Sequence, residues 1–244
     1  MNRHSFLFTL FQTGTMKTVE EVLKEMKKVA SPETKKSQKR FAIGAETTLG
    51  LKVPEMREIA KRIGKNHPLA LQLWKTKIHE ARHVASMIAD PKEVTEKLME
   101  QWLKDFDSWD IVDGCCSLFD RTPVAFEKAI EWSNRKKEFE KRAGFSMMAM
   151  LAVHDKKEED EKFEQFFPAI IRESGDERNF VRKAVNWALR QIGKRNERLC
   201  KKAIKVAKEI NAKGDSSSRW IASDALRELE KYLKEGKIKE VGNS

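Results

Sequence analysis

A chain of 244 residues that contains only 11 Gly and 6 Pro has few places to turn. That is roughly 7% of its length, against about 12% in average proteins. Sandwiches and barrels need a turn about every 8–12 residues, so the scarcity of breakers disfavours both. The pattern that fills the chain instead is helical. Val94, Leu98, Trp102 and Phe106 step by four, and Val181, Ala184, Val185, Ala188, Leu189 and Ile192 step by three and four. Thr18 followed by Glu21 is a capping box that opens a first helix to about Ala30. Ser31-Pro32, Val53-Pro54, Asp90-Pro91 and Thr122-Pro123 read as helix starts, because Pro is tolerated in the first turn. Pro168 falls inside the periodic stretch Phe163–Ile171, where a kink or break is expected. About a dozen helices of about 10–17 residues follow from these signals, with no strand or hairpin signal. The fold class is all-α.

Composition narrows the function. With 40% apolar residues, 6 Trp and 13 Phe the chain can build a core, which excludes disorder. Its longest apolar run, Phe145–Val153, is far short of the ~20 residues that span a bilayer, so no membrane partner is expected. Charged residues make up 36% of the chain and leave +11, favouring an anionic partner such as nucleic acid. Three cysteines, two of them adjacent, form no readable disulfide framework and suggest a reducing, cytoplasmic setting. Residues 1–15 read as a poorly ordered extension with Met16 as a candidate start, residues 16–236 as one domain, and 237–244 as a tail.

The helices repeat. Ser108-Trp109-Asp110-Ile111-Val112 is echoed by Asn179-Phe180-Val181-Arg182-Lys183 and by Arg219-Trp220-Ile221-Ala222-Ser223, each with an aromatic near a helix start. Met99-Glu100-Gln101-Trp102 is echoed by Phe163-Glu164-Gln165-Phe166. Degenerate two-helix units of this kind predict a HEAT-like solenoid, whose units bury their faces by stacking and whose concave, basic surface would suit duplex DNA.

Several constellations could carry chemistry. His79-Glu80-Ala81-Arg82-His83 satisfies H-E-x-x-H, which on a helix sets two imidazoles one turn apart with a carboxylate beside them. Without the edge strand that accompanies this motif in zinc proteases, the reading is two half-exposed histidines and no metal. Asp113 lies on the apolar side of its helix, between Val112 and Cys115-Cys116. A carboxylate there either pairs with a buried cation or faces a cleft with a task. Asp110 suits a helix-dipole role in the first turn. Arg190, Lys194, Arg195 and Arg198 cluster with few acids nearby in sequence, consistent either with phosphate contact or with a solvated face. Trp187 sits mid-helix, where core packing is its ordinary use. No glycine-rich phosphate loop or paired-cysteine metal spacing occurs, so no cofactor is expected.

Trp109-Asp110-Ile111-Val112-Asp113, Lys141-Arg142-Ala143 and Lys183-Ala184-Val185-Asn186-Trp187-Ala188-Leu189-Arg190 together resemble the AlkD-type DNA alkylation repair family, over about Met16 to Leu233. The resemblance implies a HEAT-like cradle for duplex DNA. It also implies a monomeric, monofunctional glycosylase that removes cationic N3- and N7-alkylated purines without flipping the base into a pocket. On that basis Asp113 is the catalytic carboxylate, Trp109 and Trp187 contact the lesion's deoxyribose and backbone, and Arg142 binds a phosphate. Arg190 and Lys194 are added to the DNA-binding set from the basic cluster. Gly114-Cys115-Cys116 and Ser216-Ser217-Ser218-Arg219-Trp220 depart from the family pattern. A nucleic-acid-binding scaffold with a structural Asp113, and a protein-interaction solenoid, stand as alternatives.

Overall fold

The computed structural model describes residues 16–41, 43 and 47–236. The extension at 1–15 and the tail at 237–244 therefore lie outside the described residues. Those described form fourteen α-helices and one 3-10 turn, with no strand among them. They divide into two compact units, the first ending at Asp90 and the second starting at Pro91.

The first unit holds α1 (Val19–Val29), α2 (Pro32–Arg40), α3 (Val53–Ile63), α4 (His67–Lys75) and α5 (His79–Ile88). Its starts are as the sequence implies: Thr18 and Glu21 form the capping box of α1, and Ser31 Oγ accepts the Thr34 N–H ahead of Pro32. Val22, Met26, Ile59, Leu73 and Ile88 are buried at its centre. The H-E-x-x-H residues belong to this core, and the expectation of half-exposed histidines is overturned: His79 and His83 are both buried, their rings 5.0 Å apart. Glu80, fully buried, accepts the backbone N–H groups of Leu49 (2.8 Å), Gly50 (2.8 Å) and Leu51 (3.2 Å). Both carboxylate oxygens thus serve a loop, which accounts for a buried acid by ordinary polar satisfaction. Gly50 completes the arrangement. It has φ +94°, and a Cβ there would stand 2.2 Å from the Ser31 carbonyl oxygen.

The second unit is a two-layer array. One layer contains α6 (Glu96–Lys104), α8 (Ala125–Ser133), α10 (Asp160–Glu164), α11 (Phe167–Glu173) and α13 (Glu197–Ala212). The other contains α7 (Trp109–Phe119), α9 (Glu138–His154), α12 (Asn179–Gly193) and α14 (Ser216–Lys234). Aromatic rings fill the space between and within layers: Phe119 meets Trp102 and Trp132 at 6.1 and 6.0 Å, and Phe126 meets Phe163 and Phe166 at 5.4 and 5.5 Å.

The repeat period is written in the polar bonds that join successive helices of one layer. Arg142 of α9 donates to the Phe180 carbonyl of α12, 38 residues on. Asn186 of α12 donates to Asp224 of α14 across another 38. In the first layer Arg172 of α11 reaches back 39 residues to Ser133, and Lys213 reaches back 42 to the Ile171 carbonyl. A spacing of about 40 residues per helix pair is that of HEAT repeats.

Two Pro-based expectations resolve differently and a third is met. Asp90-Pro91 starts only the 3-10 turn Pro91–Glu93, and the helix waits for Thr95, whose hydroxyl caps Leu98 N–H. Pro123 lies in a turn before α8, because Thr122 Oγ1 donates backwards to the Phe119 carbonyl (2.7 Å) and closes α7 instead of capping α8. At Pro168 the break is real, and the residue opens α11 rather than bending a longer helix.

Gly144 sets how closely α9 packs on α8. A Cβ there would stand 2.3 Å from Ser133 N and 2.8 Å from the Ala129 carbonyl oxygen, both backbone atoms that cannot swing away. Gly144→Ala is therefore expected to lower stability by about 1–3 kcal/mol through overpacking, despite the better helix propensity of Ala. A lower thermal midpoint by circular dichroism checks it, and a midpoint equal to or above that of the parent would contradict the close approach.

Candidate functional site

The site is built on α7. Its burial of Ile111, Val112, Cys115, Cys116, Leu118 and Phe119 turns Trp109, Asp113 and Ser117, each one turn apart, toward the half-exposed side. Asp113 keeps 21% of its side-chain surface exposed. Its Oδ1 accepts from Arg142 Nη2 (3.0 Å) and from Ser146 Oγ (2.8 Å), and its Oδ2 accepts from the same Nη2 (2.9 Å). The two alternatives open to this carboxylate are thus realised together: it pairs with a buried cation and still meets solvent.

Arg142 and Ser146 lie one turn apart on α9, and both are buried. Arg142 Nη1 donates to the Phe180 carbonyl oxygen at 2.8 Å, near the start of α12. The guanidinium, 6% exposed, is therefore committed to the carboxylate and a backbone carbonyl, not presented to a phosphate. Burial pushes the Asp113 carboxyl above its usual range, and the charge and hydrogen bonds of Arg142 and then Ser146 oppose that shift. Beside it the Cys116 thiol is pushed well up by burial and by the Asp113 charge, and its Sγ lies 3.5 Å from the Ala143 carbonyl oxygen. Such a thiol is no nucleophile.

The other sequence-derived residues fall on α12 or just after it. Trp187 is half-buried. With the Gln191 amide turned so that its oxygen faces two donors, that oxygen accepts from Trp187 Nε1 (3.2 Å) and Lys194 Nζ (3.1 Å). Lys194 also bonds Glu228 (2.7 Å), and Arg190 bonds Glu228 while lying 3.6 Å from Asp224. The basic cluster is short of acids only in sequence: α14 supplies them from one repeat away. Arg198 is paired in the same way with Asp160, Glu161 (2.5 Å) and Glu164 (2.8 Å), acids of α10. Arg195 is buried and donates to the carbonyls of Ala152, Asp155 and Glu158 at the end of α9. There it satisfies C-terminal carbonyls instead of a ligand.

Ser146, Asn186, Asp224 and Glu228 were not foreseen. For Ser146 a signal existed, since it is a polar residue one turn after Arg142 inside the apolar run Phe145–Val153. Nothing local marks Asp224 and Glu228 as partners of α12, or Asn186 as the α12 residue that meets Asp224.

Removing Arg142 leaves a largely buried carboxylate uncompensated. Arg142→Ala is expected to cost roughly 2–4 kcal/mol at neutral pH, near the lower end for a broken buried pair because Asp113 is partly solvated. In the variant the carboxyl loses its main opposing charge, so its folded-state pKa rises further above the unfolded one. Ionising it then destabilises the fold, and protonating it relieves the cost. The difference in thermal midpoint between parent and variant should therefore shrink as pH falls from neutral into the acid range and Asp113 takes up its proton. A difference that stays constant would show that Arg142 does not act through this charge.

No helix among the described residues is long and apolar enough to cross a membrane. A family model described as DNA alkylation repair enzyme matches residues 22–229. No curated protein matches. Among solved structures, one described as "A new family of proteins related to the HEAT-like repeat DNA glycosylases with affinity for branched DNA structures" superposes with a TM-score of 0.73 and 22% identity, covering 91% of this chain and 96% of that one. At that identity the likeness speaks for the fold, a HEAT-like array of helices.

Proposed function

This chain belongs to the DNA alkylation repair enzyme family, and from that premise we propose that it is a monofunctional DNA glycosylase. Its substrate in this reading is duplex DNA carrying a cationic N3- or N7-alkylated purine, and Asp113 is its catalytic carboxylate. The observation that carries the reading is the Asp113 carboxylate itself. It is partly open to solvent, oriented by Arg142 and Ser146, and one helical turn from Trp109.

The chemistry asks for little more. A purine alkylated at N3 or N7 already bears positive charge and leaves as a neutral base, so no general acid is needed. The C1′–N9 bond breaks with its electron pair going to the purine, and positive charge develops on the sugar. A fixed carboxylate in a site of low water content stabilises that charge better than mobile water does. The oxygen of an attacking water bonds to C1′, and its proton passes to Asp113 or to solvent. A single carboxylate suffices, so the lack of the second acid used by sugar-cleaving glycosidases is no objection. Trp109 and Trp187 present their ring faces to the deoxyribose, where an aromatic face attracts a developing cation.

Arg142 has a different part from the one its resemblance suggests. Buried against Asp113, it is a positioning residue that holds the carboxylate ionised and aimed. Arg190 and Lys194 contact phosphate only by giving up Glu228, so they contribute less than a solvent-exposed cation of the same helix such as Lys183.

A second reading, a DNA-binding scaffold without base excision, is favoured by the structural neighbour described as having affinity for branched DNA. Release of 7-methylguanine from duplex DNA separates the two. Asp113→Asn is expected to reduce release by roughly 10²-fold or more while duplex affinity stays unchanged. Arg142→Lys, which keeps the charge but loses the planar fork, should lower release and again spare affinity. Parent protein that binds the duplex and releases no base would leave the scaffold reading standing.

Binding itself should be electrostatic. With +11 on the chain, log K for an undamaged duplex should fall linearly and steeply with log salt concentration. Affinity that barely changes between low and physiological salt would remove DNA as the partner.

A further inference from the structure

The constellation on α7 has a partial copy on α14. Trp220-Ile221-Ala222-Ser223-Asp224 repeats the W-x-x-x-D spacing of Trp109–Asp113, in the same layer of the second unit. The copy differs in what its two functional side chains do. Asp224 is fully engaged: Asn186 Nδ2 donates to it at 2.7 Å, Arg227 pairs with it, and Arg190 Nε stands 3.6 Å away. Its partners thus come from α12 and from its own helix, where those of Asp113 come from α9. Trp220, by contrast, is the most exposed of the six tryptophans, with 37% of its surface open. The guanidinium of Arg182, from α12, lies over its ring at 4.7 Å from the centroid.

The indole thus combines an open apolar edge with a cation held against its ring. The arginine fixes the ring's orientation, adds positive charge, and is flanked by the exposed Lys183, while Trp220 follows the exposed Arg219. Flat, apolar and electropositive, the patch matches one kind of occupant: a nucleobase with phosphates on either side. Inside a duplex each base hides its faces in the stack. Only a base outside the stack can lay a face on Trp220.

We propose that Trp220 and Arg182 form a stacking platform for an unpaired nucleobase, a second nucleic-acid contact distinct from the Asp113 site. The proposal rests on DNA being the partner but not on base excision. It gives this chain a preference for duplexes that expose a base. Lys183 holds a neighbouring phosphate, whatever the base.

The test uses the full chain and two otherwise identical duplexes. One carries a single unpaired thymidine bulge. The other carries a tetrahydrofuran abasic bulge, which keeps the phosphates and the bend but has no ring to stack. The parent should bind the thymidine bulge about 10-fold more tightly, within the range for one stacked base. Trp220→Ala should abolish that ratio, Trp220→Phe should retain part of it, and both should leave affinity for unbroken duplex and release of 7-methylguanine unchanged. Lys183→Gln should weaken both bulged duplexes alike. Equal parental affinity for the two bulges, or a Trp220→Ala variant that keeps the ratio, overturns the platform and leaves the DNA reading intact. A parent that binds no duplex of any kind overturns both.

Discussion

One guanidinium ties together the layer that carries the candidate site. Arg142 belongs to α9, pairs with Asp113 of α7 and donates to the first turn of α12. An arginine suits this work because its five donors lie in one plane and its charge is not lost on burial. A lysine would have to meet both acceptors from one nitrogen, without the fork that here places Nη1 on the carbonyl and Nη2 on the carboxylate. Around it α9 is held from two further directions. Ser146, a turn later, also bonds Asp113, and Gly144 between them lets the helix press against the backbone of α8. The carboxylate's position thus follows from the packing of α7, α8, α9 and α12.

The same logic governs the other cations of the second unit. Arg190 and Lys194 reach Glu228, Arg198 reaches three acids of the 160–164 segment, and Lys141 reaches Glu173 and Asp176. These pairs hold one repeat to the next, and the charge excess of the chain resides outside them. The basic residues of this unit therefore fall into two populations. Exposed lysines are available at once, whereas the paired ones must exchange a carboxylate for a phosphate, at little net gain.

Much of the fold was legible because its signals are local. The capping box at Thr18 and Glu21 is made by residues three apart, and the break at Pro168 by a ring on a single residue. The stripe that turns Trp109 and Asp113 to one side of α7 needs only a period of 3.6. Where local grammar failed it had two possible readings. Thr122 could cap the helix ahead or close the one behind, and the hydroxyl took the nearer carbonyl of Phe119. His79 and His83 gave no sign of burial, since a polar motif on an amphipathic helix looks the same whether its face is covered or bare.

By itself, then, the sequence determined an all-α chain of repeated helix pairs, the placement of Trp109, Asp113 and Trp187 on their helices, and the family resemblance. All of these depend on contacts within a turn or two of helix, or on the order of short motifs. Tertiary structure alone decided that Arg142 faces the carboxylate, that Glu228 and Asp224 neutralise α12, and that Glu80 serves a loop. It also decided that Trp220 stays open under Arg182. Each of those partners is about 30 to 40 residues away in sequence, at or just short of the spacing of one repeat. Which side chains meet across that distance is set by how closely the helix pairs stack, and no local rule encodes it.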